Sequence, residues 1–369
     1  MKGDIIVDKK FINQMEPWLG VEEREAMSEY LASGGWLTEF RKTAEFERLM
    51  SEYVGSRYAT MVNNGTVSLS IALMALAIGP GDEVLVLDYT MIASANAVLL
   101  AGAKPVLVDI ERETLCMDLE KAKEAITTKT KGMMFVSLNG RCPDMAEVKN
   151  FATEYSLFLL EDAAQSLGSR HNGKHLGTFG EVGSFSFSAP KVITTGQGGC
   201  LITDDEAIHA KIRKIKDFGR ERGGVDIHDE LGFNFKFTDL QAVIGIEQMK
   251  KLGWRVERKK EIFRLYRELL EDVKEVEFPP TNLDNTSPWF IDMLVTAPIE
   301  LQAFLKEKGI GSRPFYPPVH TQAPYRLNEE FPVAENLSKH GLWLPSSSFL
   351  SDDDVSRVCS EIRTFFTKK

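Results

Sequence analysis

Four apolar runs alternate with three helix-patterned segments in the first half of the chain. The runs are Glu83 to Leu87, Pro105 to Ile110, Gly132 to Leu138 and Leu157 to Leu160. The segments between them are Ala93 to Ala101, Leu119 to Ile126 and Met145 to Tyr155. A strand that returns to its sheet through a helix comes back parallel to where it left, so this alternation predicts an α/β domain with a mostly parallel central sheet. The runs are short and nearly continuous, as strands covered on both faces are. No Gly-x-Gly-x-x-Gly follows the first of them, which leaves a nicotinamide-dinucleotide turn unsupported. From Phe237 to Asp272 the pattern is helical, with Gly253 and Trp254 marking an expected bend, and Pro279-Pro280 stops it. At 369 residues the chain is long enough for more than one domain. The expected division is an N-terminal arm over 1–30, a large domain over 31–250 and a small C-terminal α+β domain over 251–369. The arm is expected to lie near the small domain.

In an open α/β sheet, ligands meet the chain at the carboxyl ends of strands. Three places there carry chemistry. Asp162 follows the run Leu157 to Leu160; it is either a ligand for a cationic nitrogen or an Asp that caps a helix. Lys191 follows the alternating strand Phe185 to Ser188 and a proline, and a second apolar strand, Cys200 to Thr203, comes after it. It reads either as an exposed turn lysine or as an amine whose apolar surroundings ease loss of its proton, as a Schiff-base lysine requires. The third place is Asn63 to Gly79, an almost wholly apolar helix capped by Asn64 or Thr66 and ended by Gly79. Its first turn, with Gly65 and Thr66, is either an ordinary capped start or a cup of free amides for a phosphate. Ser186, five residues before Lys191, adds a hydroxyl nearby.

Seven stretches in order resemble the DegT/DnrJ/EryC1/StrS family of sugar aminotransferases. They are Asn64-Gly-Thr66, Thr90 to Asn96, Glu161-Asp-Ala-Ala-Gln165, Ser186-x4-Lys191, Gly196-Gln-Gly-Gly199, Gly232 to Gly245 and Ser312 to His320. The resemblance spans nearly the whole chain. It implies the aspartate-aminotransferase-like fold of fold-type-I pyridoxal-phosphate enzymes, with pyridoxal 5'-phosphate as cofactor. Lys191 is then the Schiff-base lysine, Asp162 the partner of the pyridine nitrogen and Gln165 the contact of the phenolic oxygen. Gly65, Thr66 and Ser186 hold the phosphate, joined by Asn234 from the partner subunit of a homodimer. The implied reaction carries an amino group from L-glutamate to a nucleotide-linked keto sugar. The same resemblance also admits a regulatory protein that binds the cofactor without turnover. No helix-turn-helix pattern or basic patch speaks for DNA binding.

Several positions depart from the family pattern. Met91 stands where an aromatic residue usually stacks on the ring, and a methionine sulfur also contacts aromatic faces. Val192 replaces an asparagine, Gln197 a glutamate, and Phe40 and Arg41 follow Trp36-Leu-Thr38 where glycine and proline are common. The Pro-rich loop Arg313-Pro-Phe-Tyr-Pro-Pro-Val-His320 and Leu344-Pro-Ser-Ser-Ser348 resemble the GDP-perosamine synthase branch of the family. This implies GDP-4-keto-6-deoxymannose as acceptor, within polysaccharide O-antigen synthesis. Trp36, Arg313, Tyr316 and His320 are the expected substrate contacts, with a plain solvated loop as the alternative for the last three.

Net charge is −10, which disfavours nucleic acid and anionic membranes as partners. No apolar run reaches membrane-spanning length and Met1-Lys-Gly-Asp does not start a signal peptide, so a cytoplasmic enzyme is expected. Cys116, Cys142, Cys200 and Cys359 form no Cys-x-x-Cys pair and are expected as reduced thiols. His171 and His175 flank Asn172-Gly173, a hairpin turn that separates them, so no metal site is expected.

Overall fold

The computed structural model of the protein describes residues 11–367; the first ten residues of the expected arm lie outside them. Strands β1 (Tyr58–Val62), β2 (Glu83–Leu87), β3 (Lys104–Val108), β4 (Thr130–Val136) and β5 (Phe158–Asp162) come first. A two-residue hairpin follows, β6 (Arg170–His171) and β7 (Lys174–His175), and then β8 (Val182–Ser186) and β9 (Gly199–Thr203). Seven of these form one sheet in the order β1-β9-β8-β5-β4-β2-β3. From β3 to β8 every pairing is parallel. Only β9 runs the other way, between β8 and β1. The crossovers therefore behave as the alternation predicts, and every residue of β2 is buried. Each Val or Leu so buried contributes about 1.5–3 kcal/mol.

Helix α1 (Val21–Ala32) packs on α8 (Asp239–Leu269), and the sheet is covered by α2 (Arg41–Val54), α3 (Gly65–Ala75), α4 (Ala93–Leu100), α5 (Leu119–Ala125), α6 (Met145–Glu154), α7 (Glu206–Lys216) and the first part of α8. Of the expected runs in this half, Glu83 to Leu87 matches β2 at both ends, and the other strand and helix runs shift by at most three residues at an end. The expected Gly79 stop does not hold. Helix α3 ends at Ala75 with Leu76 as its C-cap, and Ala77 takes the left-handed position with φ 57°. Ala77 N–H donates to the Met74 carbonyl and Ile78 N–H to that of Leu73, which satisfies two of the end's open carbonyls.

Helix α8 runs through Gly253 and Trp254 without interruption. It is one helix of 31 residues. A lone glycine costs a helix about 1 kcal/mol, and long helical arms on both sides absorb that. The helix starts against α2, where Ala242 and Ile246 share a core with Phe46. It ends in a second core, where Ile262, Phe263 and Tyr266 meet the small sheet. That sheet has the antiparallel order β10-β11-β13-β12: β10 (Val276–Glu277), β11 (Ile291–Val295), β12 (Arg313–Pro314) and β13 (Gly341–Leu344). Helices α9 (Pro298–Glu307), α10 (Pro332–His340) and α11 (Asp352–Thr367) complete this part. Ile12 bridges to Ile310, and Gln14 exchanges hydrogen bonds with Leu344 and Ser346, so this stretch lies on the small sheet's side.

Trp289, Phe290, Phe315 and Trp343 join the core of the large sheet rather than that of the small one. These aromatics bring the small sheet against the carboxyl ends of the large one.

Candidate active site

Strand β5 ends at Asp162, and burial makes that carboxylate unusual. It is 6% exposed, and no helix starts beyond it, so its carboxyl is not a helix cap. One oxygen accepts the Ser94 hydroxyl at 2.8 Å, the other the Ala164 N–H at 3.1 Å. Burial pushes its proton affinity above the ordinary carboxylate range, while Ser94, Ala164 and the Lys191 charge pull it back. Ser94 lies in the first turn of α4 and is itself fully buried. It falls within the Thr90–Asn96 stretch, yet a serine among apolar residues carries no sequence signal of its partner.

Helix α3 begins where β1 ends. Asn64 rather than Thr66 is the cap, accepting the Val67 N–H at 2.9 Å. The Gly65 and Thr66 N–H groups donate to nothing among the described residues. Gly65 is required by close approach: a β-carbon there would stand 2.9 Å from that of Ser186. So β8 and the α3 start press together, and two free amides and the Thr66 and Ser186 hydroxyls share one wall. An anion is the natural guest of such a helix start.

Lys191 sits in the loop between β8 and β9, its N–H on the Ser188 carbonyl. Burial lowers the proton affinity of its amine to about 8, against the pull of Asp162. Its Nζ lies 3.8 Å from the centre of the Trp289 ring. Gln165 is buried, and its side-chain oxygen accepts the Asn139 N–H at 2.9 Å, which leaves its NH2 as the free end. Asn139 holds φ 51° and clasps the Phe290 backbone, accepting its N–H at 2.6 Å and donating to its carbonyl at 2.7 Å. Neither Asn139 nor Trp289 stood out in the sequence, because their partners are some 100 to 150 residues away.

One cavity of about 340 Å³ gathers Gly65, Thr66, Met91, Asp162, Gln165, Ser186, Lys191, Arg313 and Tyr316, with Trp289 in its wall. Met91, Arg313 and Tyr316 also border a smaller cavity of about 180 Å³ beside it. The Arg313 guanidinium lies over the rings of Tyr316 and Trp343, at 5.4 and 5.6 Å.

Three expected contacts lie elsewhere in this chain. His320 is buried, with its ring nitrogen on Asp88 at 2.7 Å and its N–H on the other Asp88 oxygen at 2.7 Å. It fastens the Pro-rich loop to the end of β2 and does not face the cavity. Trp36 is 64% exposed and borders a separate cavity of about 990 Å³ with Arg213, Arg222 and Lys236. Asn234 is exposed on the segment between α7 and α8, bridged to Asp217. Physically, both Trp36 and Asn234 belong to segments outside the β5–β8 strand ends, which one chain alone does not fold over the cavity. His171 and His175 part across their hairpin, the one toward Asp144, the other accepting the Gly168 N–H.

A lysine amine with a depressed proton affinity, a buried carboxylate and an anion cup in one cavity suit a cofactor that carries a phosphate, a cationic ring nitrogen and an electrophilic carbon. Known proteins resemble this chain over nearly its whole length. The model of the DegT/DnrJ/EryC1/StrS aminotransferase family matches residues 18–363. The GDP-perosamine synthase of Escherichia coli O157:H7 is 35% identical over 364 residues, covering 98% of this chain and 100% of its own. The dTDP-4-dehydro-2,3,6-trideoxy-D-glucose 4-aminotransferase of Saccharopolyspora spinosa is 31% identical over 370 residues, 95% of this chain and 96% of its own. Among solved structures, the aminotransferase TlmJ from Streptoalloteichus hindustanus superposes with a TM-score of 0.92 at 29% identity, over 97% of this chain and 99% of that one.

Proposed function

Because the chain belongs to the DegT/DnrJ/EryC1/StrS aminotransferase family, we propose that it moves the amino group of L-glutamate onto GDP-4-keto-6-deoxymannose, giving GDP-perosamine. The protein is a pyridoxal-phosphate-dependent aminotransferase acting on nucleotide sugars. The regulatory alternative gives way to the end-to-end similarity to enzymes, among them a sugar 4-aminotransferase.

The residues fit the cofactor. The free amides of Gly65 and Thr66 and the Thr66 and Ser186 hydroxyls would hold its phosphate. Asp162 would hold its ring nitrogen as a cation, Gln165 NH2 its phenolic oxygen, and Met91 would lie against the ring. When bound, the cofactor supplies an aldehyde that takes up an amino group and a ring that draws electrons from the neighbouring carbon. Lys191 Nζ is the group that takes and returns a proton at that carbon, and an affinity near 8 suits an amine that must do both around neutral pH. Asn234 of the partner subunit would complete the phosphate contacts, which makes the working unit a two-fold dimer. A cytoplasmic setting fits a chain with no helix, among the described residues, long and apolar enough to cross a membrane.

One observation carries the reading of the reaction: Lys191, Asp162 and the α3 cup share one cavity. The choice of GDP is supported by end-to-end similarity to GDP-perosamine synthase. Arg313, bordering both cavities, is placed for an anionic oxygen of the nucleotide. The test is a panel of GDP-, UDP- and dTDP-linked keto sugars with L-glutamate, read by mass spectrometry. Amination of the GDP-linked sugar is expected. Amination of only the UDP- or dTDP-linked sugars refutes the nucleotide; amination of none refutes the substrate class.

A further inference from the structure

Trp289 stands between two lysines. Its ring face meets Lys191 Nζ at 3.8 Å, and its indole N–H donates to the carbonyl of Pro190, the residue just before that lysine, at 2.7 Å. Its own carbonyl accepts from Lys259 Nζ, also at 2.7 Å. Lys259 comes from α8 and is 2% exposed. Its second bond runs to the Ser346 carbonyl at 2.7 Å, and no carboxylate among the described residues pairs with it. An amine buried without a counter-ion is unfavourable, and a methionine would fill that volume more easily. What the amine does is join two carbonyls. It ties the Trp289 strand entry to the loop Leu344-Pro-Ser-Ser-Ser348, whose Ser346 hydroxyl in turn accepts the Ile291 N–H.

We propose that Trp289 is the positioning residue for Lys191, setting both the place and the proton affinity of its amine, and that Lys259 holds Trp289 in that position. The inference rests on the reading of Lys191 as the reactive amine. The ring face favours the ammonium form over the free amine. It therefore opposes burial, which lowers Lys191 to about 8. The indole bond to Pro190 restrains the loop on which the amine rides. The other groups facing Lys191 are Asp162 from β5, which favours its charge, and Arg313 and Tyr316 across the cavity. Lys259 faces Arg255 one turn earlier on α8, and with burial this lowers it to about 7.

The test measures Lys191 itself rather than turnover. Full-length protein freed of cofactor is labelled with an amine-reactive reagent across a pH series, and the Lys191 peptide is quantified by mass spectrometry. Trp289→Leu and Lys259→Met should each lower the labelling midpoint by about one pH unit, the size of a desolvated cation–π contact. Trp289→Phe, which keeps a ring face, should recover most of it. The double variant Trp289→Leu with Lys259→Met should shift no further than either alone. An unchanged midpoint in Trp289→Leu overturns the proposal, as does an unchanged midpoint in folded Lys259→Met. Should Lys259→Met fail to fold, Lys259→Gln, which keeps a buried donor but is too short to join both carbonyls, takes its place: a lowered Lys191 midpoint is expected, and an unchanged one overturns Lys259's part. None of these readouts needs the aminotransferase reaction, so a failure of the substrate assignment leaves them standing.

Discussion

At the scale of single residues, the cavity depends on how a few buried groups keep or lose protons. Lys191→Ala should abolish turnover and leave borohydride unable to fix cofactor to the protein; borohydride labelling of another lysine in the unaltered enzyme would refute the assignment. Ser94 offers a subtler check. Its hydroxyl stabilises the charged form of Asp162, so Ser94→Ala raises that carboxyl's proton affinity further above the ordinary range. A hydrogen bond to a buried charge contributes about 1.5–3 kcal/mol, so cofactor affinity should drop roughly ten- to a hundredfold. Equilibrium binding followed by absorbance measures this, and unchanged affinity contradicts the role of Asp162 as holder of the ring nitrogen.

At the scale of elements, the hairpin β6–β7 shows how a small unit is tied to the sheet that carries the site. Asn172 and Gly173 both take left-handed φ, 48° and 79°, which suits a two-residue turn. The turn sends His175 inward between Tyr53 and Phe185, where its Nε2 accepts the Gly168 N–H at 2.9 Å. Burial lowers its proton affinity from 6.5 to about 4. The folded state thus holds the neutral ring and the unfolded state binds the proton first. The resulting stability is fully present above pH 6.5 and is lost as pH falls toward 4. By linkage that loss amounts to roughly 3 kcal/mol. Denaturant unfolding at neutral and acid pH should show His175→Gln losing about that much less than the unaltered protein. Equal losses would mean the ring is not held neutral.

At the scale of the whole molecule, a mixing experiment tests whether two subunits share each site. Asn234 and Trp36 do not line the cavity of their own chain, while the cavity's phosphate cup uses only residues near α3 and β8. If the partner subunit's Asn234 completes the cup, Lys191→Ala and Asn234→Ala proteins are each weak alone. Each mixed dimer should regain one normal site, since one of its two sites then carries both intact residues, so random equimolar mixing should restore about a quarter of normal activity. No regain on mixing, or a fully active monomer, excludes a shared site.

The alternation of apolar runs and helices was enough to foresee the parallel sheet, because crossover chirality and burial on both faces are local rules written in local pattern. The strand-end positions of Asp162 and Lys191 and the cup at Gly65 and Thr66 were legible for the same reason. Each is a few residues from the element that presents it. What the pattern could not carry were contacts closed over long separations. Ser94 reaches Asp162 across 68 residues, Trp289 reaches Pro190 across 99, and His320 turned to Asp88 across 232 instead of facing a ligand. Such pairs form because the sheet order sets α4 beside the end of β5, and because the small sheet with its loops closes over the same strand ends, so distant backbone meets in one dry volume. There a polar group must find a partner, and which partner is near is decided by packing, not by sequence neighbours.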